Sequence, residues 1–324
     1  MSRHRILPLF ITGSHRPGRC PLSCVYCDQA LMLGGAGSAL SAEDVRVALR
    51  SAAGRAGPAP EIGFYGGTFT GLAPELQEEL LTAAAAAVRR GEAASVRVST
   101  HPAWCGDEAL ARLARFGVAT VEVGVQSLDE RVLRASRRGV LAGEIEAALA
   151  RVVAHGFRLG VQTMVGLPGS DRASDLATAT RLADSGARLA RIYPTLVLRE
   201  TALALMTVRG EYRPLALEEA VARAADQVAR FEARGVTVQR IGLHVDQALR
   251  RAVVAGPLDE SLGERVRGEL AFRRLTRLVQ ERSGDELTVR VAPRERSRYV
   301  GYRRENLKRI GSMFPGVKLR IIEG

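Results

Sequence analysis

Short apolar runs alternate along this chain with longer stretches in which apolar residues recur at helical spacing. Each short run has the length and the content of β-branched residues that are typical of a buried strand. Strands that alternate with helices in this way indicate parallel βα units. The predicted strands are Ile6–Thr12, Glu61–Gly67, Ser95–Thr100, Thr120–Ser127, Arg158–Leu167 and Leu189–Leu198.

Helices are predicted between these strands. Ser41 precedes a stretch in which Val45, Ala48 and Leu49 recur at helical spacing, which makes Ser41 a candidate N-cap. The other predicted helices are Ala73–Arg90, Asp107–Arg115, Asp129–Ser136, Gly143–His155, Ser170–Ser185 and Leu217–Arg234.

Six consecutive βα units are too few for a closed eight-stranded barrel but enough for an open one. The predicted fold is therefore α/β, a partial (β/α)6 TIM-type barrel, with the site at the C-terminal ends of the strands. After Arg234 the pattern changes, and a boundary near Gly242 divides a barrel of residues 1–242 from a small basic α/β extension of residues 243–324. The elements predicted there are strand Val236–Leu243, helix Glu260–Arg282, strand Glu286–Val291, helix Ser297–Ile310 and strand Val317–Ile322.

The composition is that of a globular protein with a large core, since 46% of the 324 residues are hydrophobic. No stretch approaches the roughly 20 apolar residues of a membrane helix, and the apolar run within Met1–Phe10 is too short for the hydrophobic region of a secretory signal. We therefore expect a cytoplasmic protein without a membrane partner.

Three of the four cysteines lie within eight residues, at Cys20, Cys24 and Cys27, directly after the first predicted strand. Three thiolates hold three irons of a cubane cluster and leave the fourth iron open to a small molecule. A zinc site completed by Cys105, His15 or His101 is the alternative. Cys105 is otherwise predicted to be a small buried thiol.

The cysteine spacing, with Tyr26 before the last cysteine, resembles the radical S-adenosylmethionine (SAM) superfamily. The resemblance implies a [4Fe-4S] cluster on Cys20, Cys24 and Cys27, with SAM on the open iron. It also implies an electron donor of the flavodoxin or ferredoxin type. One electron then cleaves SAM to methionine and a 5′-deoxyadenosyl radical.

The second predicted strand ends in Gly66 and Gly67, which allow the backbone to approach a ligand closely. This pair resembles the superfamily element that contacts the SAM amino group, with Thr68 in place of the usual acidic residue. A tight turn is the alternative. Gly66 and Gly67 are the predicted contacts of the SAM methionine, and Tyr26 and Thr68 are also predicted to bind the cofactor.

Polar residues also interrupt the later apolar strands, at Glu122, Gln126, Gln162 and Arg191. Alternation along a strand places Glu122 and Gln126 on one face, which we expect to line the barrel lumen. The four side chains are candidates for contact with the adenosyl group or the substrate. Gln162 and Arg191 could equally be hydrogen-bonded core residues. No residue is assigned as the catalytic acid or base.

The ordered series EVGVQSLDERVL…RRG, MVGLPG and RIYPTLVLRETALALMTVRGEY narrows the resemblance to one family. It is similar to the radical SAM domain of the Elongator catalytic subunit family, which carboxymethylates wobble uridines of tRNA, and more so to its short bacterial relatives. That family has lysine where this chain has Arg191. About 80 residues follow the predicted barrel, too few for an acetyltransferase domain, so no acetyl-CoA chemistry is expected.

The charge is unevenly distributed. Of the formal charge of +12, +8 lies between Arg290 and Arg320. Such a cluster favours RNA as a partner, with tRNA contact through the region Arg294–Arg309; a solvated surface is the alternative. The segment from Tyr299 to Ile310 resembles the loop and helix of a KH module, with Arg304 at the second glycine of its GxxG loop.

The sequence therefore predicts a radical SAM enzyme that modifies RNA. Two alternatives remain: a radical SAM enzyme on a small molecule, as in the coproporphyrinogen oxidases, and a non-enzymatic iron-sulfur protein that binds RNA.

Overall fold

The computed structural model describes residues 5–11, 24–27, 40–54, 57–282 and 284–324. At its centre lies a parallel sheet of seven strands. The strands stand side by side in the sheet in the same order in which they occur along the chain. The order is β1 (Ile6–Phe10), β2 (Glu61–Tyr65), β3 (Ser95–Thr100), β4 (Thr120–Gln126), β5 (Arg158–Val165), β6 (Leu189–Pro194) and β8 (Thr237–Ile241).

This sheet is a curled half-barrel with helices on its outside, which confirms the predicted partial barrel. The seventh strand, β8, is the predicted strand Val236–Leu243, and it pairs with β6 as an edge of the sheet. The helices are α1 (Ala42–Ala52), α2 (Pro74–Arg89), α3 (Asp107–Arg115), α4 (Glu130–Ala135), α5 (Ala142–Ala154), α6 (Arg172–Ala183), α7 (Ala202–Val208), α8 (Leu217–Ala233), α9 (Gln247–Ala252), α10 (Leu262–Glu281), α11 (Arg296–Val300) and α12 (Glu305–Met313).

The helix starts follow local chemistry. Ser41 caps α1 as predicted: its hydroxyl accepts the Asp44 N–H, while the Asp44 carboxylate accepts the Ser41 N–H at 2.8 Å. The short helices α7 and α9 are not among the predicted elements.

The predicted strand Leu189–Leu198 is broken in the structure. β6 ends at Pro194, which has no N–H to donate to a ladder. Thr195 instead bonds back to the Val165 carbonyl through its N–H at 3.0 Å and its hydroxyl at 2.9 Å. The next residues form β7 (Val197–Leu198), which pairs antiparallel with β9 (Val253–Ala255) above the sheet edge.

The last elements form a smaller unit of strand, two helices and strand. β10 (Glu286–Val291) and β11 (Lys318–Glu323) are parallel, and α11 and α12 connect them. The predicted single helix Ser297–Ile310 is two helices, because Gly301, Arg303 and Arg304 adopt positive φ between them.

Helix α10 joins this unit to the barrel. Leu262 and Val266 at its start belong to the barrel core, whereas Phe272 and Leu275 further along belong to the core of the smaller unit. The boundary near Gly242 stays a prediction. No helix in the described ranges is long and apolar enough to cross a membrane.

Candidate functional site

The cysteine turn lies at the carboxyl end of the parallel sheet. Cys24 is buried and Cys27 is exposed, and the Cys27 N–H donates to the Cys24 carbonyl at 3.1 Å. Val25 ties the turn down, because its N–H donates to the Ser136 carbonyl at 3.1 Å and its carbonyl accepts the Leu203 N–H at 2.8 Å. Cys20 lies outside the described residues, so the structure describes two of the three predicted cluster ligands, Cys24 and Cys27.

Arg138 links this turn to strand β4. Its guanidinium is buried, approaches the Cys24 sulfur at 3.6 Å and donates to the Gly124 carbonyl. A Cβ on Gly124 would lie 3.2 Å from the Arg138 guanidinium, so a larger residue there would require this guanidinium to shift by a few tenths of an ångström. The sequence motif that contains Arg138 was recognised, but no role for this residue was predicted from it.

We expect Arg138→Gln to lower the release of 5′-deoxyadenosine from SAM by about 10- to 100-fold, the usual range for residues that support metal ligands. The variant removes the cation beside Cys24 and weakens the bond to the Gly124 carbonyl. Release is measured anaerobically with dithionite after cluster reconstitution. Arg137→Gln is the matched control, because Arg137 is exposed. Equal loss in both variants would refute a specific role for Arg138.

His101 follows β3 and is buried near the same guanidinium. Its backbone N–H donates to the Thr68 hydroxyl at 2.6 Å, and its Nδ1 accepts the Ala103 N–H at 3.1 Å. Burial and the nearby Arg138 charge lower the pKa of His101 to about 3, so the ring is neutral near pH 7.

The predicted cofactor-binding residues in this part of the chain are Tyr26, Gly66, Gly67 and Thr68. Gly66 has φ of 101°, a conformation that favours glycine, at the point where β2 enters its loop. Thr68 is buried and fastens that loop to the one after β3, through the His101 N–H and the Thr100 hydroxyl at 3.3 Å. Gly67 lies between them. Burial raises the pKa of Tyr26 well above its usual range, so its phenol stays neutral.

Gln126 ends β4 at an irregularity in the pairing with β5. Its φ of 70° is rare for a residue with a side chain, and its buried Oε1 has no hydrogen-bond partner among the described residues. A Cβ on Gly124 would lie 3.1 Å from the Gln126 amide nitrogen, which places this amide beside Arg138. The strained turn therefore directs an unsatisfied polar group into the area of the cysteine turn.

Glu122, Gln162 and Arg191 meet in the lumen below that level. The Glu122 carboxylate forms an ion pair with Arg191, whose Nε lies 2.9 Å away, and accepts hydrogen bonds from Arg191 Nη2 at 3.1 Å and from the Gln162 amide at 3.2 Å. Arg191 also contacts Tyr65, with its Nη2 2.5 Å from the hydroxyl and its guanidinium carbon 4.8 Å from the ring centroid. Burial is the largest single effect and would lower the pKa of Arg191, but Glu122, Tyr193 and Tyr65 together raise this pKa.

The centre of this polar layer is Arg97, which sequence reasoning missed. Its side chain is fully buried and pairs with Glu122 on β4 and with Glu61 at the start of β2, where Nε lies 2.6 Å from the carboxylate. A third contact runs to the Gln239 amide oxygen on β8 at 2.8 Å. Burial alone would lower the pKa of Arg97, but Glu122 and Glu61 raise it. The signal in the sequence is a lone arginine between two valines of a buried strand.

Cys105 lies apart from the cysteine turn. Its side chain is fully buried, as expected, and its sulfur contacts the His101 carbonyl at 3.6 Å. Burial raises the pKa of Cys105 to about 12, so this thiol stays protonated and is a poor metal ligand. No group of three metal-binding side chains occurs in the described part of the chain, from which Cys20 is missing.

These side chains suit an iron-sulfur cluster and a small polar ligand. Soft thiolates at Cys24 and Cys27 are the ligands that iron-sulfur clusters use, and the Arg138 cation attracts the negative charge of a metal-bound thiolate. The unsatisfied Gln126 Oε1 is an acceptor for a ligand donor such as an amino or hydroxyl group.

Family profiles match two successive parts of the chain. The radical SAM superfamily matches residues 16–181, about half of the chain, and the radical SAM C-terminal domain matches residues 187–271. The chain belongs to the radical SAM superfamily. It is therefore an enzyme of that superfamily, and its cofactors are the [4Fe-4S] cluster and SAM that the superfamily uses. The first match includes all three clustered cysteines, and the second runs past Gly242 into α10.

Two kinds of curated protein are similar to part of the chain. The "tRNA uridine(34) acetyltransferase" of Methanocaldococcus jannaschii is 31% identical over 127 residues, which are 38% of this chain and 24% of that protein. "Elongator complex protein 3" of Schizosaccharomyces pombe is 28% identical over 134 residues, which are 40% of this chain and 25% of that protein. The matches thus span about a quarter of these relatives' length, and they agree with the predicted Elongator-like resemblance.

A solved structure shares the fold. The archaeal Methanocaldococcus infernus Elp3 with an N-terminal deletion superposes with a TM-score of 0.69, at 20% identity, over 85% of this chain and 64% of that one. The likeness shows that most of this chain shares the fold of that protein.

Proposed function

We propose that this enzyme reductively cleaves SAM to a 5′-deoxyadenosyl radical and uses the radical to modify RNA, with tRNA as the preferred substrate. The observation that carries the proposal is the sequence similarity to proteins named for tRNA uridine modification and for Elongator. The basic C-terminal region adds an independent reason to favour a polyanionic substrate.

The cysteine turn is the part of the site that supports the chemistry. Cys20, Cys24 and Cys27 would hold the cluster, which when bound supplies the electron that cleaves SAM. Arg138 holds its charge beside Cys24 and its guanidinium against the β4 carbonyl, so it orients the ligand side of the turn. Tyr26 would exclude water from the same turn because its phenol is buried and neutral.

SAM would lie across the carboxyl ends of β2 to β5. Gly66 and Gly67 would let the backbone approach the methionine part, and Thr68 would keep their loop in place through its bond to the His101 N–H. The Gln126 amide offers an unsatisfied acceptor at the end of β4. These assignments follow the superfamily resemblance and the position of each residue at a strand end.

The substrate group would enter the lumen above Glu122, Gln162 and Arg191. A planar, polar group such as a nucleobase suits this layer, because amide, carboxylate and guanidinium groups can all hydrogen-bond to base edges. The layer is rigid, since Glu122 is held by Arg97, Arg191 and Gln162 together. An enzyme that reacts with a base has to take it out of the helical stack into such a pocket.

The reaction would take place in the cytoplasm, where thiols stay reduced and RNA is available. The electron would come from a small flavodoxin or ferredoxin type of protein.

The test is the release of 5′-deoxyadenosine by the reconstituted full chain with SAM and dithionite. We expect small RNA to raise the release several-fold and to gain a changed nucleoside, whereas the same RNA digested to nucleosides has no effect. Release that responds to a tetrapyrrole and not to RNA would overturn the proposed substrate. A fully loaded cluster that gives no 5′-deoxyadenosine under any condition would overturn the enzymatic proposal.

A further inference from the structure

The C-terminal unit is attached beside the rim of the half-barrel. Leu262, the first residue of α10, packs against Gly242 directly after edge strand β8: a Cβ on Gly242 would lie 3.3 Å from the Leu262 Cβ. A Cβ on Gly263 would lie 3.4 Å from the Ile241 carbonyl. Because β8 is parallel to the other strands, α10 starts at the edge that carries the cysteine turn.

Ion pairs join α10 both to the barrel helices and to α12 of the C-terminal unit. Arg273 of α10 binds Asp226 of α8 at 2.7 Å, and Asp226 also binds Arg172 of α6 at 2.5 Å. Glu269 of α10 binds Arg309 of α12 at 2.9 Å. The C-terminal unit is therefore held in one place relative to the strand ends.

The loop between α11 and α12 is fastened to the same helix. The buried Asn306 amide donates to the Gly268 carbonyl on α10 at 2.8 Å and to the Arg298 carbonyl at 2.9 Å. Gly301 lies so close to Asn306 that a Cβ there would meet its backbone nitrogen at 2.7 Å. The guanidinium of Arg265, one turn into α10, lies 4.6 Å from the centroid of the Tyr302 ring.

The exposed cations of this loop form what we call the loop patch: Arg303, Arg304 and Lys308, together with Tyr302. The three cations are exposed, and no ion pair involves them among the residues that the structure describes. The nearby Arg309, by contrast, forms an ion pair with Glu269. Arg303 also lies 5.3 Å from the Tyr302 ring centroid, and that ring is 50% exposed.

The backbone holds two of these cations outward in an unusual conformation. Arg303 and Arg304 have φ of 48° and 63°, in the left-handed region that glycine or asparagine adopts at lower cost. Lys308 follows Arg304 by four residues, the spacing that brings side chains to one face of a helix. Uncompensated cations on a rigid loop beside an aromatic ring are the features of a surface that binds nucleic-acid backbone.

We propose that the loop patch binds the sugar-phosphate backbone of the RNA substrate and, because α10 fixes it beside β8, guides the RNA toward the strand ends. This inference rests on the proposed function for the identity of the RNA. A membrane surface is disfavoured, because the patch presents guanidinium and ammonium groups without an apolar helix face. The site is thus bipartite, with phosphate contacts at the patch and chemistry at the cysteine turn.

The test compares two triple variants of the full chain by fluorescence anisotropy with labelled small RNA. In Arg303→Asn, Arg304→Asn, Lys308→Gln, asparagine tolerates the left-handed backbone, so the loop keeps its shape. The control is Arg89→Gln, Arg158→Gln, Arg188→Gln, which removes the same charge from α2 and from the amino ends of β5 and β6. These three arginines are exposed and form no ion pair with any residue that the structure describes.

We expect the patch variant to bind RNA at least tenfold more weakly near 0.15 M salt. The slope of log affinity against log salt should fall by about two, as about three phosphate contacts to a single strand are lost. The control should bind almost like wild type. SAM cleavage without RNA should be unchanged in both variants, which shows that the barrel is intact. Lys308→Glu alone serves as a second variant with a milder change and should weaken binding in the same direction.

Patch and control variants that bind RNA equally would overturn the inference and leave the proposed function standing. RNA binding that requires the patch, in a protein whose SAM cleavage does not respond to RNA, would support the patch and overturn the proposed function. A wild-type chain that binds no RNA overturns both.

Discussion

Replacing Arg97 by methionine is expected to destabilise the chain by about 3–5 kcal/mol, the range for removing one partner of a buried ion pair. The substitution leaves the carboxylates of Glu61 and Glu122, both fully or almost fully buried, without their shared cation. It also removes the link to Gln239 that joins β3 to edge strand β8 across the lumen. Unfolding by urea, followed by circular dichroism, measures the loss.

The matched control is Arg50→Met on α1, which breaks an ion pair with Glu43 at 2.6 Å on an exposed surface. Screening by solvent makes such a pair nearly irrelevant to stability, so the denaturation midpoint should not move. An Arg97 variant as stable as this control would mean that the polar layer of the lumen is not held together by Arg97.

Replacing Cys24 by alanine is expected to abolish cluster binding and to reduce 5′-deoxyadenosine release to background. A cubane held by two thiolates has lost one of three protein ligands, and no other cysteine or histidine in the described residues is placed to substitute for it. Iron content and the visible absorbance of the reconstituted protein are measured beside the release.

The control for this variant is Cys105→Ala, since Cys105 is fully buried, protonated and apart from the turn. It should keep its iron and its activity. Loss of iron in the Cys105 variant, or its retention in the Cys24 variant, would contradict the assignment of the ligands and revive a site that includes Cys105.

The barrel was predictable because its signals are local. Each of the six strand predictions rests on a run of apolar residues, because a strand that is buried on both faces consists mainly of such residues. An apolar run alone does not predict where β6 ends. The run continues beyond Pro194, but the strand ends there because proline has no N–H to donate. Nor does the sequence predict the break at Arg303 and Arg304, since neither residue type signals the left-handed backbone that splits the predicted helix.

The cysteine turn was predictable for a different reason, namely that iron-sulfur chemistry demands a fixed residue type at a fixed spacing. Arg138 shows the limit of this reasoning. It stands beside Arg137 in the sequence, and only the return of the chain after α4 buries one guanidinium against Cys24 and leaves the other in solvent.

Arg97 shows a second limit. A charge inside a buried strand is predictable as unusual, but its two carboxylate partners lie 36 and 25 residues away along the chain on separate strands. Their meeting depends on the register of β2, β3 and β4, which periodicity does not determine. Glu122 was predicted as a lumenal residue, and its contacts with Gln162 and Arg191 depend in the same way on the register of β4, β5 and β6.

The modified nucleosides of tRNA from a strain that lacks this gene provide the most direct test of an RNA-modifying radical SAM enzyme. The strain is complemented with the wild-type gene, with Cys24→Ala or with an empty vector, and digested tRNA is analysed by mass spectrometry. We predict that at least one modified nucleoside is lost, returns with the wild-type gene and stays absent with Cys24→Ala. Identical nucleoside profiles in all strains would contradict a role in tRNA modification.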